Sequence, residues 1–204
     1  PTQDNYLRRF QDTLQKVVKI NSLTNFDQKI DIAFYGEESK SIYLAFSETS
    51  PESPTIVSKL DLTNGGATQI LKLEHKLTEL TYSADNKCIV GIDRPNRTYS
   101  LINLKADPKI FTLQSTYSHP RPPLFSQSGK SAIFAGSMEN RETGITVINT
   151  ESFKFEATTV VKGGLTSISS PADGKIIFST SSSGYNLSSK NNKSYTWDLK
   201  DDKN

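Results

Sequence analysis

The chain has 204 residues, 34% hydrophobic and 23% charged, enough to bury a core of ordinary size without disulfide staples. Lys and Arg number 24 against 22 Asp and Glu, a net charge of +2 that excludes the strong one-signed field by which polyanions are attracted, so nucleic acid is not an expected partner. Cys88 is the single cysteine, which excludes an intrachain disulfide and a thiolate-rich zinc site.

From the N-terminus, Leu7, Phe10, Leu14 and Val17 or Val18 recur at three- and four-residue steps, the spacing of one helical face, and predict a short helix over 4–14. Gln15 to Ile20 is rich in branched residues and suits a strand as well as a continuation of that helix. Residues 29–34, 41–46, 55–62 and 68–73 then read as four strands, with Asn64-Gly65-Gly66 furnishing a tight turn. The next four are 77–82, 88–92, 98–104 and 109–113, followed by 123–125, 131–135, 144–149 and 153–161. A last set, 165–169, 175–180 and 194–199, lacks a fourth member. Residues 15–20 are the candidate to complete it and hide its edge.

No charge-free stretch approaches the roughly 20 apolar residues that cross a bilayer, so direct membrane insertion is not expected. A start at Pro1 rather than Met is compatible with removal of an upstream signal or anchor. The compartment stays open, with the cytoplasm slightly preferred.

Two patterns repeat along the chain. Gly36 to Lys40, Ser83 to Lys87, Ser126 to Lys130 and Pro171 to Lys175 each form a turn ending in Lys before an apolar run, the lysines lying 47, 43 and 45 residues apart. Asp61, Asn103, Asn149 and Asp198 each follow an apolar residue and precede Leu or Thr, at spacings of 42, 46 and 49. Asx side chains at strand ends bond nearby backbone and lock turns, so these four read as structural. Gly129, Gly174 and Asn86 suit the left-handed turn conformation, which predicts a tight hairpin from the first two strands of each set.

Four-stranded units of about 40 to 45 residues with a Trp-Asp step resemble the blades of the β-propeller superfamily. The resemblance is carried by the degenerate Ser-Pro-Asp-Gly-Lys-like turns at 83–87, 126–130 and 171–175 and by Tyr195-Thr196-Trp197-Asp198-Leu199, which is of WD-repeat type. It covers roughly residues 29–199. No Gly-His pair opens a unit and one unit in four carries the Trp, so Tol-type periplasmic and surface-layer-type propellers are equally near. The resemblance implies an all-β fold of four four-stranded blades over 29–73, 77–113, 123–161 and 165–199. Those blades make up a domain of 29–204 behind a segment of 1–28. They form a closed four-bladed ring or part of a larger one, which a second chain or further sequence of the same protein would complete.

Ser128-Gly129-Lys130-Ser131 has the ending of a phosphate-binding loop, but Leu124 stands where the upstream Gly belongs and a strand follows, so a hairpin turn is expected. His75 and His119 have no Cys or His at ligand spacing and read as solvated loop residues, so no metal or cofactor is expected. No Gly-x-Ser-x-Gly elbow occurs, and the pairs Glu37-Glu38 and Asp201-Asp202 lie in polar runs where nothing raises a pKa. Ser118 to Pro123 reads as a stiff crossing between units, or as a polyproline ligand with Arg121 beside it.

Ser47 to Pro54, Gly136 to Thr143 and Ser181 to Lys193 all fall between second and third strands, which places them on one propeller rim. Met138 and Tyr185, apolar residues inside polar loops, are with Arg121 the candidate partner-binding residues. The expectation is a non-catalytic propeller scaffold or interaction subunit with a protein partner. The alternatives are a propeller hydrolase or lyase with a central-channel site, and an envelope-associated subunit whose N-terminal anchor or signal has been removed.

Overall fold

The computed structural model describes residues 28–36, 40–48, 53–64, 66–83, 86–105, 107–181 and 192–199. The predicted helix over 4–14, the strand candidate 15–20, both acidic pairs, Gly65 and Tyr185 lie outside the described residues. Among those described, every regular element is a strand. The chain divides into two compact units, Pro1–Lys76 and Leu77–Asn204.

In the first unit, β1 (Gln28–Gly36), β2 (Ser41–Glu48), β3 (Thr55–Asp61) and β4 (Ala67–Leu73) pair in chain order as an antiparallel meander. Ile42, Leu44 and Leu60 form its core, with Ala33 and Leu62 packed against them.

The second unit holds three sheets, each antiparallel. The first is β5 (Thr78–Ser83), β6 (Cys88–Asp93), β7 (Thr98–Asn103) and β8 (Lys109–Gln114). The next comprises β9 (His119–Pro120), β10 (Leu124–Phe125), β11 (Ser131–Ser137), β12 (Glu142–Asn149) and β13 (Phe155–Lys162). The last is β14 (Gly164–Ala172), β15 (Lys175–Ser181) and β16 (Asn192–Asp198).

Side-chain alternation along β11 explains how these sheets stack. Successive side chains of a strand point to opposite faces. Ala132 and Phe134 therefore enter a core shared with Cys88, Val90, Tyr99, Leu101 and Tyr117, while Ile133 and Ala135 enter another with Leu165, Ile176 and Phe178. With a sheet on either side, Ala132 through Ser137 are all buried and the strand reads as a continuous apolar run. The outer strands β8 and β13 instead alternate between exposed and half-buried positions.

The two repeated sequence patterns are opposite halves of one contact. The amide after each Asx residue donates to the hairpin turn before the second strand: Leu62 to the Lys40 carbonyl (3.0 Å), Leu104 to Lys87 (2.8 Å), Thr150 to Lys130 (2.8 Å) and Leu199 to Gly174 (2.8 Å). The Asx side chains fold over the next turn as expected, with Asp61 Oδ1 accepting from the Thr63 amide (2.8 Å), Asn103 Oδ1 from Lys105 (3.0 Å) and Asn149 Oδ1 from Glu151 (3.0 Å). In the last sheet Lys175 pairs with Asp198, where Ser41, Cys88 and Ser131 pair with their Asx residues. Gly174, not Lys175, is thus the structural counterpart of Lys40, Lys87 and Lys130.

Three expectations are corrected here. Gly129 and Gly174 have positive φ (70° and 73°), but Asn86 does not; Lys87 takes it at 50°, as Lys40 does at 43°. Gly36 pairs with Ser41 and Ser83 with Cys88, and the lysine just before the second strand, Lys40 or Lys87, makes the left-handed step. Asn86 acts between sheets instead: its Nδ2 donates to the Ser128 carbonyl (2.5 Å), and the Ser128 amide donates to Asp173 Oδ1 (2.8 Å). The lysine turns of the second unit's three sheets are thereby tied to one another.

Second, Ser118 to Pro123 is not a crossing. His119 and Pro120 pair with Ser137 and Gly136, and Leu124 and Phe125 with Ile133 and Ala132, so the segment is the inner strand of its sheet, broken at Arg121-Pro122-Pro123. Prolines have no N–H to give a ladder, and two in succession push the strand out of register. Third, Gly136 to Thr143 is not a long loop: both strands continue through it, leaving Met138 to Arg141 as a tight turn closed by the Met138 amide on the Glu142 carbonyl (2.7 Å).

A rim cleft as candidate functional site

Three chain segments of the second unit converge on a cleft of about 510 Å³. They are the start of the broken inner strand with Ser118, His119 and Arg121, the β11–β12 turn with Met138 and Arg141, and the start of β14 with Leu165. A chain of hydrogen bonds joins them. Ser118 Oγ donates to the Ser137 carbonyl (2.9 Å), the Leu165 amide donates to Ser137 Oγ (3.1 Å), and Arg121 Nη2 donates to the Leu165 carbonyl (2.7 Å). Each bond joins a side chain of one segment to the backbone of another, so the three segments are tied to one another along the cleft wall.

Beneath the wall, Gly136 and Gly144 face each other across β11 and β12, and Tyr117 fills the space a side chain would need. Its hydroxyl lies 3.0 Å from Thr146 Oγ1 and 3.4 Å from the Phe134 carbonyl. Tyr99 stands beside it, 4.8 Å from Phe134 between ring centroids, and its hydroxyl donates to the carbonyls of Arg121 (3.2 Å) and Ala135 (3.3 Å). Arg121 is thus held at its carbonyl by Tyr99, at its amide by the Ala135 carbonyl (2.8 Å) and at its guanidinium by Leu165. Burial raises the pKa of both phenols, so neither is a base or nucleophile near neutrality.

The inner strands of this unit share a departure from regular pairing near their starts. β5 slips between Thr78 and Thr81, β14 between Leu165 and Ser167, and the third is the break at Arg121. Glu79 sits in the first of these bulges with φ at 50° and is gripped by Arg94 through Nε (2.8 Å) and Nη2. Its other oxygen, Oε2, is buried with no hydrogen-bond partner. Backbone strain of this kind is tolerated where the surroundings hold it in place.

The structure places Arg121 and Met138 on the walls of one cleft, Arg121 half-buried and Met138 packed in part on the Tyr117 core. His119 is an exposed strand residue whose Nδ1 lies 3.2 Å from Ser118 Oγ, not a loop residue as expected. His75 lies in a bend after β4. Gly129 lies in a hairpin turn, with its amide donating to the Ser126 carbonyl (2.8 Å), and a strand rather than a helix follows. Arg141, Glu79 and Arg94 were not singled out by sequence, because no short motif marks them. Among the described residues no group of His, Cys, Asp or Glu side chains could hold a metal ion.

These antiparallel meanders, each locked by the same turn contact, define a blade-repeat protein. Its fold is that of the β-propellers. The β-propeller domain of the trilobed protease from Pyrococcus furiosus matches with a TM-score of 0.55 at 12% identity, over 83% of this chain and 54% of that one. Pyrococcus horikoshii acylaminoacyl peptidase matches at 0.54 and 14% identity, over 85% of this chain and 32% of that one. An oligogalacturonate lyase in complex with manganese matches at 0.52 and 12% identity, over 79% and 48%. The chain spans between a third and a little over half of these neighbours' lengths. No protein-family model and no curated protein matches the sequence.

Proposed function

We propose that this chain is a propeller module that binds a protein partner through the rim around the Arg121 cleft. The observation that carries this reading is the hydrogen-bonded wall from Ser118 through Ser137 and Leu165 to Arg121, which presents Met138 and two arginines on a fixed frame. Arg and Met are enriched at the centres of protein interfaces, where a preformed surface lowers the entropic cost of association. The polar groups of the wall are engaged with backbone and hold position, which suits recognition more than bond-breaking. The trilobed protease neighbour carries its propeller as one domain among others.

The test is affinity capture from native extract with the full chain, alongside Arg141→Glu at the exposed turn. Recovery of a stoichiometric complex that Arg141→Glu abolishes without lowering thermal stability is the expected result. A chain that stays monomeric in extract and turns over simple esters or glycans would overturn the reading.

A further inference from the structure

We infer that the cleft takes a carboxylate-bearing peptide segment, with Arg121 as its main anchor; this rests on the interaction reading above. A guanidinium is a planar fork of N–H donors that matches the two oxygens of a carboxylate. The Arg121 fork uses Nη2 on the Leu165 carbonyl (2.7 Å), and among the described residues no carboxylate lies within ion-pair reach of it. By contrast Arg94 and Lys105, elsewhere in the same unit, each hold a glutamate.

Arg121 is half-buried, so its charge is less screened than one at the surface and an incoming anion is attracted more strongly. Arg141, which also lines the cleft, likewise lacks an acidic partner among the described residues. Glu139 is the one acidic residue lining the cleft, and it projects at the exposed tip of the turn. The lining therefore carries two arginines against one acid. Met138 supplies an apolar surface beside the arginines, which fits the aliphatic part of a peptide better than a small inorganic anion.

The experiment titrates the isotope-labelled full chain with three probes and follows backbone amide shifts. The probes are acetyl-Glu-Glu-Glu-amide, acetyl-Gly-Gly-Gly with a free C-terminal carboxylate, and acetyl-Gln-Gln-Gln-amide. At least one carboxylate probe should move the amides of Ser118, Arg121, Met138 and Leu165 and bind about tenfold or more tightly than the Gln probe. Which of the two does so separates a side-chain carboxylate from a chain end. Arg121→Gln should weaken that binding about tenfold or more, while Lys109→Gln on outer strand β8 leaves it unchanged. If Arg121→Gln does not fold, Arg121→Lys and Arg141→Gln carry the same test, each weakening the carboxylate probe and not the neutral one. Equal binding of the Gln probe, shifts confined to other surfaces, or indifference to these substitutions would overturn the inference. A protein partner captured through the rim but insensitive to Arg121→Gln would overturn the carboxylate site alone. Carboxylate binding in the cleft with no complex in extract would overturn the interaction reading alone.

Discussion

Tyr117 lies over Gly144 so closely that a Cβ on the glycine would stand 2.6 Å from Tyr117 Cε1. Gly136, paired with Gly144, is as restricted, with Tyr117 Cβ at 2.6 Å and the His119 carbonyl at 2.8 Å. The hairpin carrying Met138 and Arg141 is thus seated on an aromatic ring, and its position depends on the absence of two side chains. Gly144→Ala should lower stability by about 1–3 kcal/mol in urea denaturation, as overpacking does. Adding Tyr117→Leu should recover part of that loss in a double-mutant cycle. Strict additivity of the two changes would show that the ring is not the obstacle.

The left-handed residues of the lysine turns make a graded series. Lys87 has φ 50°, a conformation that costs a residue with a Cβ about 1–2 kcal/mol, so Lys87→Gly should raise the melting temperature. Gly174 and Gly129 have nearly the same φ but different surroundings. Nothing lies within 4 Å of a Cβ on Gly174, whereas one on Gly129 would fall 1.8 Å from Ser83 Oγ in the neighbouring blade. Gly129→Ala should therefore destabilise more than Gly174→Ala. Equal losses would argue against the contact between turns.

The bridge from Asn86 through Ser128 to Asp173 has a pH signature. The Ser128 amide and hydroxyl hold the Asp173 carboxyl below its ordinary 3.8. A carboxylate with a depressed folded pKa stabilises above its unfolded value and loses that contribution as pH falls through the folded one. Acid destabilisation below about pH 4 should accordingly be shallower in Asp173→Asn, by a small margin because Asp173 is at the surface. Asn86→Ala, which removes the other half of the bridge, should cost about 0.5–1.5 kcal/mol at neutral pH by chemical denaturation.

On the alkaline side the sign reverses. Burial pushes the Cys88 thiol from its ordinary 9.0 up to about 11. The unfolded chain then ionises first, so stability is intact below about pH 9 and declines toward about pH 11, by about 2 kcal/mol. Tyr99 and Tyr117 act in the same direction at higher pH. Cys88→Ala should flatten the decline between pH 9 and 10.5, and the wild-type thiol should react with a disulfide reagent only as fast as the core opens.

The strands were legible because their signals are local. The apolar run from Cys88 is β6, ending at Asp93, and Ala67–Leu73 follows the turn marked by Asn64. The lysine and Asx patterns are legible because each is turn chemistry confined to a few residues, even though the hydrogen bond that joins them spans 17 residues in the second blade and 22 in the first. The broken inner strand is not legible locally, because Pro122 and Pro123 have the composition of a linker and only the pairing of Gly136 and Ser137 with Pro120 and His119 makes the segment a strand. Arg121 and Met138 lie in unrelated sequence contexts, and that they share a cleft depends on where β9, β11 and β14 come together.

What residue order alone determined is the blade: short apolar runs, the turns between them and their fourfold recurrence all arise from signals within a few residues. Tertiary structure decided which faces are covered and therefore which strands read as solid hydrophobic. It also decided whether lysine or glycine takes the left-handed step, and which distant side chains meet at the rim. Those outcomes depend on contacts between segments far apart in the chain, where the energy of a residue is set by neighbours that its own sequence window does not contain.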